Sequence, residues 1–238
     1  MEQWENEIIH KNKKRKEMLN LLKRKKKYYR LTRRDRTEFL SAFCKYNLSE
    51  YEQIASLDGK SEMPFDFKVV RMKETPIKLI VDDNVDLLKT VWWDFMPNTL
   101  SGTMMSERLK NVIEEYLTGE EHVDWISCNV RCKDESRIYY MMRFNKKLDV
   151  LDMEKTLFFE DEEDIDDETE EEKEEKEKTI YIPVYSLAKI KKLSVFHKPS
   201  SYNFWRLPLV FYVNEDIRKR IKKEKLTGMA FEKAVLSK

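Results

Sequence analysis

Two oppositely charged blocks limit which parts of this 238-residue chain can build a hydrophobic core. Residues 11–36 carry 14 basic and two acidic side chains, a net charge of +12, and residues 160–177 carry 14 carboxylates and two lysines, a net charge of −12. An acidic run of this density cannot bury apolar surface, so residues 160–177 are expected to be a loop, a solvated helix or disordered. The core must come from segments outside the acidic block, and a hydrophobic content of 41% is enough to form one.

The N-terminal block is predicted to form a basic helical arm over residues 1–60. Lys, Arg, Glu and Leu lose little conformational entropy in a helix, and neither Gly nor Pro precedes Gly59. A second helical stretch is expected over residues 37–57. The charges of the whole chain nearly cancel, with 46 basic and 45 acidic side chains, which excludes a uniformly basic nucleic-acid-binding protein.

Residues 61–238 are predicted to form an α+β domain, mainly antiparallel sheet with two or three packed helices, and with an acidic insertion at 160–178. An amphipathic helix is expected from Met105 to Leu117, capped by Ser106 and stopped by Gly119. A last helix follows Asn214. Short runs of β-branched and aromatic residues predict strands at 67–72, 77–81, 90–95, 123–132, 137–144, 179–184, 193–197 and 205–213, with a further strand within 147–159. The strands at 123–132 and 137–144 are expected to form a hairpin around the polar turn at 133–136. Residues 226–229 are expected to form a turn before a final short strand.

No enzyme signature is present, since the chain lacks phosphate-binding loops, nucleophile elbows and zinc-protease motifs. His197 is better explained as a structural histidine than as a catalytic base. Cys128 and Cys132 are expected to be buried thiols on one face of a strand, and no cofactor or metal is predicted.

We expect a cytoplasmic protein, because the first residues have no secretory apolar region and no apolar stretch is long enough to span a membrane.

The sequence TVWWDF at 90–95 is the best candidate for a partner contact. In a strand, Trp92 and Asp94 would face one way while Trp93 and Phe95 face the other. One of these faces could leave a tryptophan at the surface, where aromatic anchors dominate binding energies. The alternative is that both tryptophans pack in the core or at a sheet edge.

Each charged block also has a functional interpretation. The basic block could bind nucleic acid through phosphate contacts, or it could be a solvated appendage that pairs with the acidic block of the same chain. The acidic block could imitate a phosphate backbone and occupy the basic cleft of a nuclease, or it could be a solvated surface insertion. The candidate residues are Lys13, Lys14, Arg15, Lys23, Arg24 and Lys25 for nucleic acid, and Glu162, Asp164, Asp166 and Asp167 for a protein partner.

Eight short motifs, in order between residues 93 and 231, resemble the immunity proteins of bacterial polymorphic toxin systems, specifically immunity protein family eleven. They are WDF (93–95), MSERL (105–109), VDW (123–125), RIYYMM (137–142), LDVLD (148–152), FWR (204–206), VFYV (210–213) and LTGMAF (226–231). The resemblance begins near Phe65 and leaves the basic block uncovered. It implies a small protein that binds and neutralises a cognate toxin and brings no catalytic residues with it.

Overall fold

Strands dominate the part of the chain that the computed structural model describes, namely residues 26–33, 38–43, 53–54, 56–63, 66–74, 79–82, 92–100, 102–158, 180–199, 206–208 and 210–237. In chain order its elements are β1 (Tyr28–Arg33), β2 (Glu38–Phe43), β3 (Phe67–Glu74), β4 (Leu79–Asp82), β5 (Phe95–Met96), β6 (Met104–Met105), α1 (Glu107–Glu114), β7 (Val123–Cys132), β8 (Glu135–Phe144), β9 (Leu157–Phe158), β10 (Ile180–Ile182), β11 (Tyr185–Ser186), α2 (Leu187–Ile190), β12 (Val195–His197), β13 (Phe211–Asn214), α3 (Glu215–Lys223), β14 (Met229–Lys233) and β15 (Leu236–Ser237). This arrangement confirms an α+β protein that is mainly sheet. No helix in these ranges has the length and apolar composition of a membrane span.

The larger sheet is organised around a long β-hairpin. Its strand order is β2-β3-β7-β8-β6-β5, with β4 on β3, and all pairs are antiparallel except β3 with β7. The hairpin pairs every residue from Val123 opposite Phe144 to Cys132 opposite Glu135. Its turn is Lys133-Asp134, and Lys133 has a positive φ of 53°. The predicted hairpin is confirmed, with a turn two residues shorter than expected.

The smaller sheet has the order β12-β13-β1-β14, so a strand from the N-terminal block lies in its interior. The helical expectation is therefore wrong for residues 28–33, and it is also wrong for residues 38–43, which form β2. Tyr28 is fully buried and Leu31 nearly so, and β1 is bonded on both sides. Pairing with distant strands overrides the local helix preference of the neighbouring lysines. Residues 1–25 of the predicted arm lie outside the described residues.

The hairpin separates two hydrophobic cores. Alternate side chains of β7 and β8 point to opposite faces, as the period of two in a strand requires. One set packs with helices α1 and α3 and the smaller sheet, and it includes Trp125, Met142 and Phe144. The other set packs with β2, β3 and β5, and it includes Ile126, Cys128, Val130, Tyr139 and Met141. We refer to these as the first and second cores.

The two longer helices begin where the sequence predicts. The Ser106 side chain accepts a hydrogen bond from the backbone N–H of Leu109, and the Asn214 side chain accepts from Asp216 and Ile217. These bonds satisfy N–H groups that have no partner inside a helix. The expectation that Gly119 ends the first helix is wrong: α1 ends at Glu114, and Gly119, with a φ of 89°, lies in the turn that follows.

Three other predicted strands differ from the structure. The strand expected at 90–95 is confined, among the described residues, to Phe95 and Met96, and residues 92–94 lie outside any strand. The strand expected at 205–213 begins only at Phe211. The region 147–159 forms the two-residue strand β9, which pairs with β10 across the acidic block.

Candidate partner-binding surface

Trp92 lies against one face of strand β8, where it is half-buried and packs on the second core. Its contacts come from alternate residues of that strand. The indole Nε1 donates a hydrogen bond of 2.9 Å to Glu135 Oε2. The Arg137 guanidinium lies 4.5 Å from the centre of the indole, and the Tyr139 ring stacks on it at 6.3 Å with a 30° interplanar angle. These three contacts fix the orientation of a tryptophan that keeps part of its surface accessible.

Asp94 has a structural role and does not face solvent, since it is 4% exposed. Its carboxylate accepts hydrogen bonds from the Ser106 hydroxyl at 2.7 Å and from the backbone N–H of Thr227 at 2.8 Å, and Arg108 Nη1 lies 3.6 Å away. Ser106 is also the cap of α1. Asp94 therefore joins the start of β5, the first turn of α1 and the turn before β14. Because its side chain is buried, it is not available for contact with a protein partner.

Trp93 is half-buried between β8 and the turn before β14. Its carbonyl oxygen accepts a hydrogen bond of 2.8 Å from the Tyr139 hydroxyl. Burial raises the pKa of the Tyr139 phenol, so this hydroxyl remains a donor at neutral pH. Gly228, with a φ of 89°, approaches so closely that an added Cβ would lie 2.8 Å from Trp93 Cβ and 2.3 Å from the Phe95 carbonyl oxygen.

Replacing Gly228 by alanine is expected to destabilise the fold by about 2–4 kcal/mol, because the methyl group meets backbone and the residue must keep a left-handed conformation. Gly119→Ala is the matched control, since Gly119 has the same φ of 89° but open space around its Cβ position. The Gly119→Ala variant should lose only the free energy needed to hold an alanine in the left-handed conformation, about 1–2 kcal/mol. Urea denaturation of both variants measures the difference, and equal losses would contradict the close packing at Gly228.

The structure does not describe the charged candidate residues of either block. Lys13, Lys14, Arg15, Lys23, Arg24 and Lys25, and likewise Glu162, Asp164, Asp166 and Asp167, lie outside the described residues. The structure places only residues that flank the acidic block: Phe158 and Ile180 are direct neighbours in the β9–β10 pair. The block therefore connects two adjacent strands.

The buried histidine and thiols lie within the cores. His197 is fully buried, its Nδ1 is 3.2 Å from the Lys198 carbonyl oxygen, and its ring meets Phe144 edge-on at 4.8 Å. Burial lowers the pKa of this imidazole. Cys128 and Cys132 are buried free thiols, as expected, and the Cys128 Sγ donates to the Tyr139 carbonyl. The described residues contain no group of three or more metal-ligating side chains.

Sequence reasoning missed the residues that hold the tryptophan segment. Glu135 was expected in the hairpin turn, but it begins β8 and bonds Trp92. Arg137 was placed on the strand without a partner, and Thr227 only in a turn. The alternation of Glu135, Arg137 and Tyr139 on one strand face is a signal that could have indicated an aromatic contact.

The described residues thus define an α+β protein in which a long hairpin divides two cores and holds a half-buried tryptophan at the surface. A family model described as Immunity protein family (Imm11) matches residues 34–235, and the chain belongs to this family. The match reaches further toward the N-terminus than the resemblance, which begins near Phe65, and it includes β2 but not β1. No curated protein matches the chain. Family membership implies toxin neutralisation and a toxin partner in general terms.

Proposed function

We propose that the chain neutralises one cognate toxin stoichiometrically, by protein–protein binding and without catalysis. The observation that carries this proposal is the match of residues 34–235 to an immunity protein family. An inhibitor of this kind needs a surface that is complementary to the toxin, with a few well-packed anchors at its centre.

Trp92 is the anchor that the geometry favours. A tryptophan offers a large contact area. Its contribution to binding is reduced by the rotamer freedom that the side chain loses on association. Glu135, Arg137 and Tyr139 already restrict the Trp92 ring in the free protein. Part of the ordering cost is therefore met before the toxin arrives. Trp93, which is also half-buried, is proposed as a neighbouring contact.

The carboxylates Glu162, Asp164, Asp166 and Asp167 are proposed to attract a basic region of the toxin. A net charge of −12 over residues 160–177 accelerates the approach of a positively charged partner and gives the association rate a strong salt dependence. Deleting residues 160–177 should slow association in low salt. Inhibition that is unchanged after this deletion would remove the acidic block from the proposal.

A Trp92→Ala variant is expected to bind the purified toxin domain about 10- to 30-fold more weakly, in the range of a binding hot spot. The matched control is Tyr29→Ala, because Tyr29 is also a half-buried aromatic under a guanidinium, that of Arg218 at 4.2 Å. The control should change the affinity less than about threefold. Titration calorimetry on variants with normal unfolding curves measures both, and equal affinities would exclude Trp92 from the interface.

A further inference from the structure

One region of the described structure concentrates exposed apolar side chains. Among the described residues, five large hydrophobic side chains are strongly exposed, and four of them lie in the β9–β10 pair or in the segments bonded to the chain next to it. The four are Met153 (59% exposed), Leu157 (53%), Ile182 (41%) and Val235 (54%). The fifth, Ile138, lies on the β7–β8 hairpin and is 50% exposed. We call the four residues the ribbon surface.

Backbone contacts place these four residues on neighbouring segments. Leu157 and Ile182 are partners in the antiparallel pair, where the side chains of paired residues lie on the same face. The Val184 carbonyl oxygen accepts a hydrogen bond of 2.8 Å from the Asp152 N–H, which places Met153 beside the end of β10. The Tyr185 N–H donates to the Val235 carbonyl oxygen at 2.9 Å.

The ribbon surface has a rigid support. Tyr185, three residues beyond Ile182, is fully buried, and its ring packs on Phe196 at 4.8 Å and on Tyr212 at 4.7 Å. In the loop before β9, the Asp152 carboxylate accepts hydrogen bonds from the side chains of Ser237 and Lys155. These bonds lower the pKa of the carboxyl group to about 2, and the bond from Ser237 connects the loop to β15. A preorganised apolar surface of this kind is typical of a binding site in a soluble protein.

The charge of the neighbouring sequence indicates what binds there. Both strands lead directly into the acidic block, and residues 149–177 together carry 17 carboxylates and three lysines, a net charge of −14. An apolar surface whose two strands are joined in sequence by an acidic block is complementary to an apolar patch bordered by Lys and Arg. A second copy of the chain is disfavoured because two acidic blocks would repel each other.

We propose that the ribbon surface, formed by Met153, Leu157, Ile182 and Val235, docks a basic face of the toxin as a second contact in addition to Trp92. This inference rests on the proposed function and names the part of the chain that meets the toxin. The acidic block steers the partner toward the ribbon surface, and the four apolar side chains supply the buried contact.

The test is the double substitution Leu157→Ser with Ile182→Ser in the full chain. Both side chains are exposed, so the variant should unfold close to the wild-type midpoint. Ile138→Ser is the matched control, because Ile138 is equally exposed but lies on the hairpin. Calorimetric titration with the purified toxin domain should show about 30-fold weaker binding for the double variant and less than threefold for the control.

Three outcomes would overturn the ribbon surface as a toxin contact, and they differ in what they imply for the proposed function. Wild-type affinity in the double variant overturns the ribbon surface and leaves toxin neutralisation intact. A wild-type chain that does not bind the toxin overturns the proposed function, and this inference with it. If the double variant binds toxin normally but loses self-association in gel filtration, the surface belongs to a second copy and the proposal is wrong.

Discussion

Replacing Asp94 by alanine is expected to lower the free energy of unfolding by about 3–4 kcal/mol, because it leaves buried donors without an acceptor. The carboxylate is 4% exposed and accepts from the Ser106 hydroxyl and the Thr227 N–H. These bonds join three segments that are far apart in sequence. Chemical denaturation followed by far-ultraviolet circular dichroism measures the loss.

Asp58→Ala provides the matched control for this effect. Asp58 also accepts from a serine hydroxyl, that of Ser61 at 2.7 Å, and from a backbone N–H, that of Lys60 at 3.1 Å, but it is exposed. Water replaces these bonds, so the control should change stability by less than about 1 kcal/mol. Asp94→Asn, which retains one carbonyl acceptor, should fall between the two. Similar losses for Asp94→Ala and Asp58→Ala would refute the structural role of Asp94.

Tyr28→Ala is expected to cost about 3–5 kcal/mol, the range for removing a fully buried aromatic side chain. Tyr28 lies in the interior strand of the smaller sheet, and its ring meets Phe196 edge-on at 5.3 Å. Its hydroxyl lies 2.7 Å from the Ile190 carbonyl oxygen. The unfolding midpoint and the slope of a denaturant titration measure the effect.

Tyr29→Ala is the matched control, because Tyr29 lies in the same basic stretch as Tyr28 but is less buried. Tyr29 is half-buried, its ring lies against the Arg218 guanidinium and its hydroxyl bonds Glu215, so its loss should cost about 1 kcal/mol. Tyr28→Phe should cost about 1–2 kcal/mol, since it removes only the hydroxyl. If residues 28–33 were a solvated helix, as the basic composition suggests, both alanine variants would be close to neutral. Such a result would contradict β1.

Local patterns predict the elements that depend on neighbours in sequence. Helices α1 and α3 follow from apolar spacing of three and four and from capping by Ser106 and Asn214. The β7–β8 hairpin follows from two apolar runs around a short polar turn. In each case the bonds that form the element lie within a few residues or across one turn.

Strands β1 and β2 could not be predicted in this way. Their bonds go to β13, β14 and β3, and those of β1 reach about 200 residues along the chain. The lysines before Tyr28 favour a helix locally, and only the distant partners reverse that preference. Non-local pairing leaves no signal in the local composition.

The candidate site shows the same limit. Sequence identified the tryptophan segment, but assigning faces by strand alternation placed Asp94 with Trp92, whereas the structure buries Asp94 between Ser106 and Thr227. The exposure of Leu157 and Ile182 was not predicted, because apolar residues in a strand usually face a core. Which side of a short strand remains uncovered depends on the packing of the whole domain.

Co-expression with the proposed toxin domain, sought in the neighbouring open reading frame, tests the central claim most directly. Cells that produce both proteins should survive, and the two should purify together at a one-to-one ratio in moderate salt, because a packed interface withstands screening better than phosphate contacts do. Death of the cells despite soluble expression of the chain, or survival without a complex, would contradict stoichiometric neutralisation.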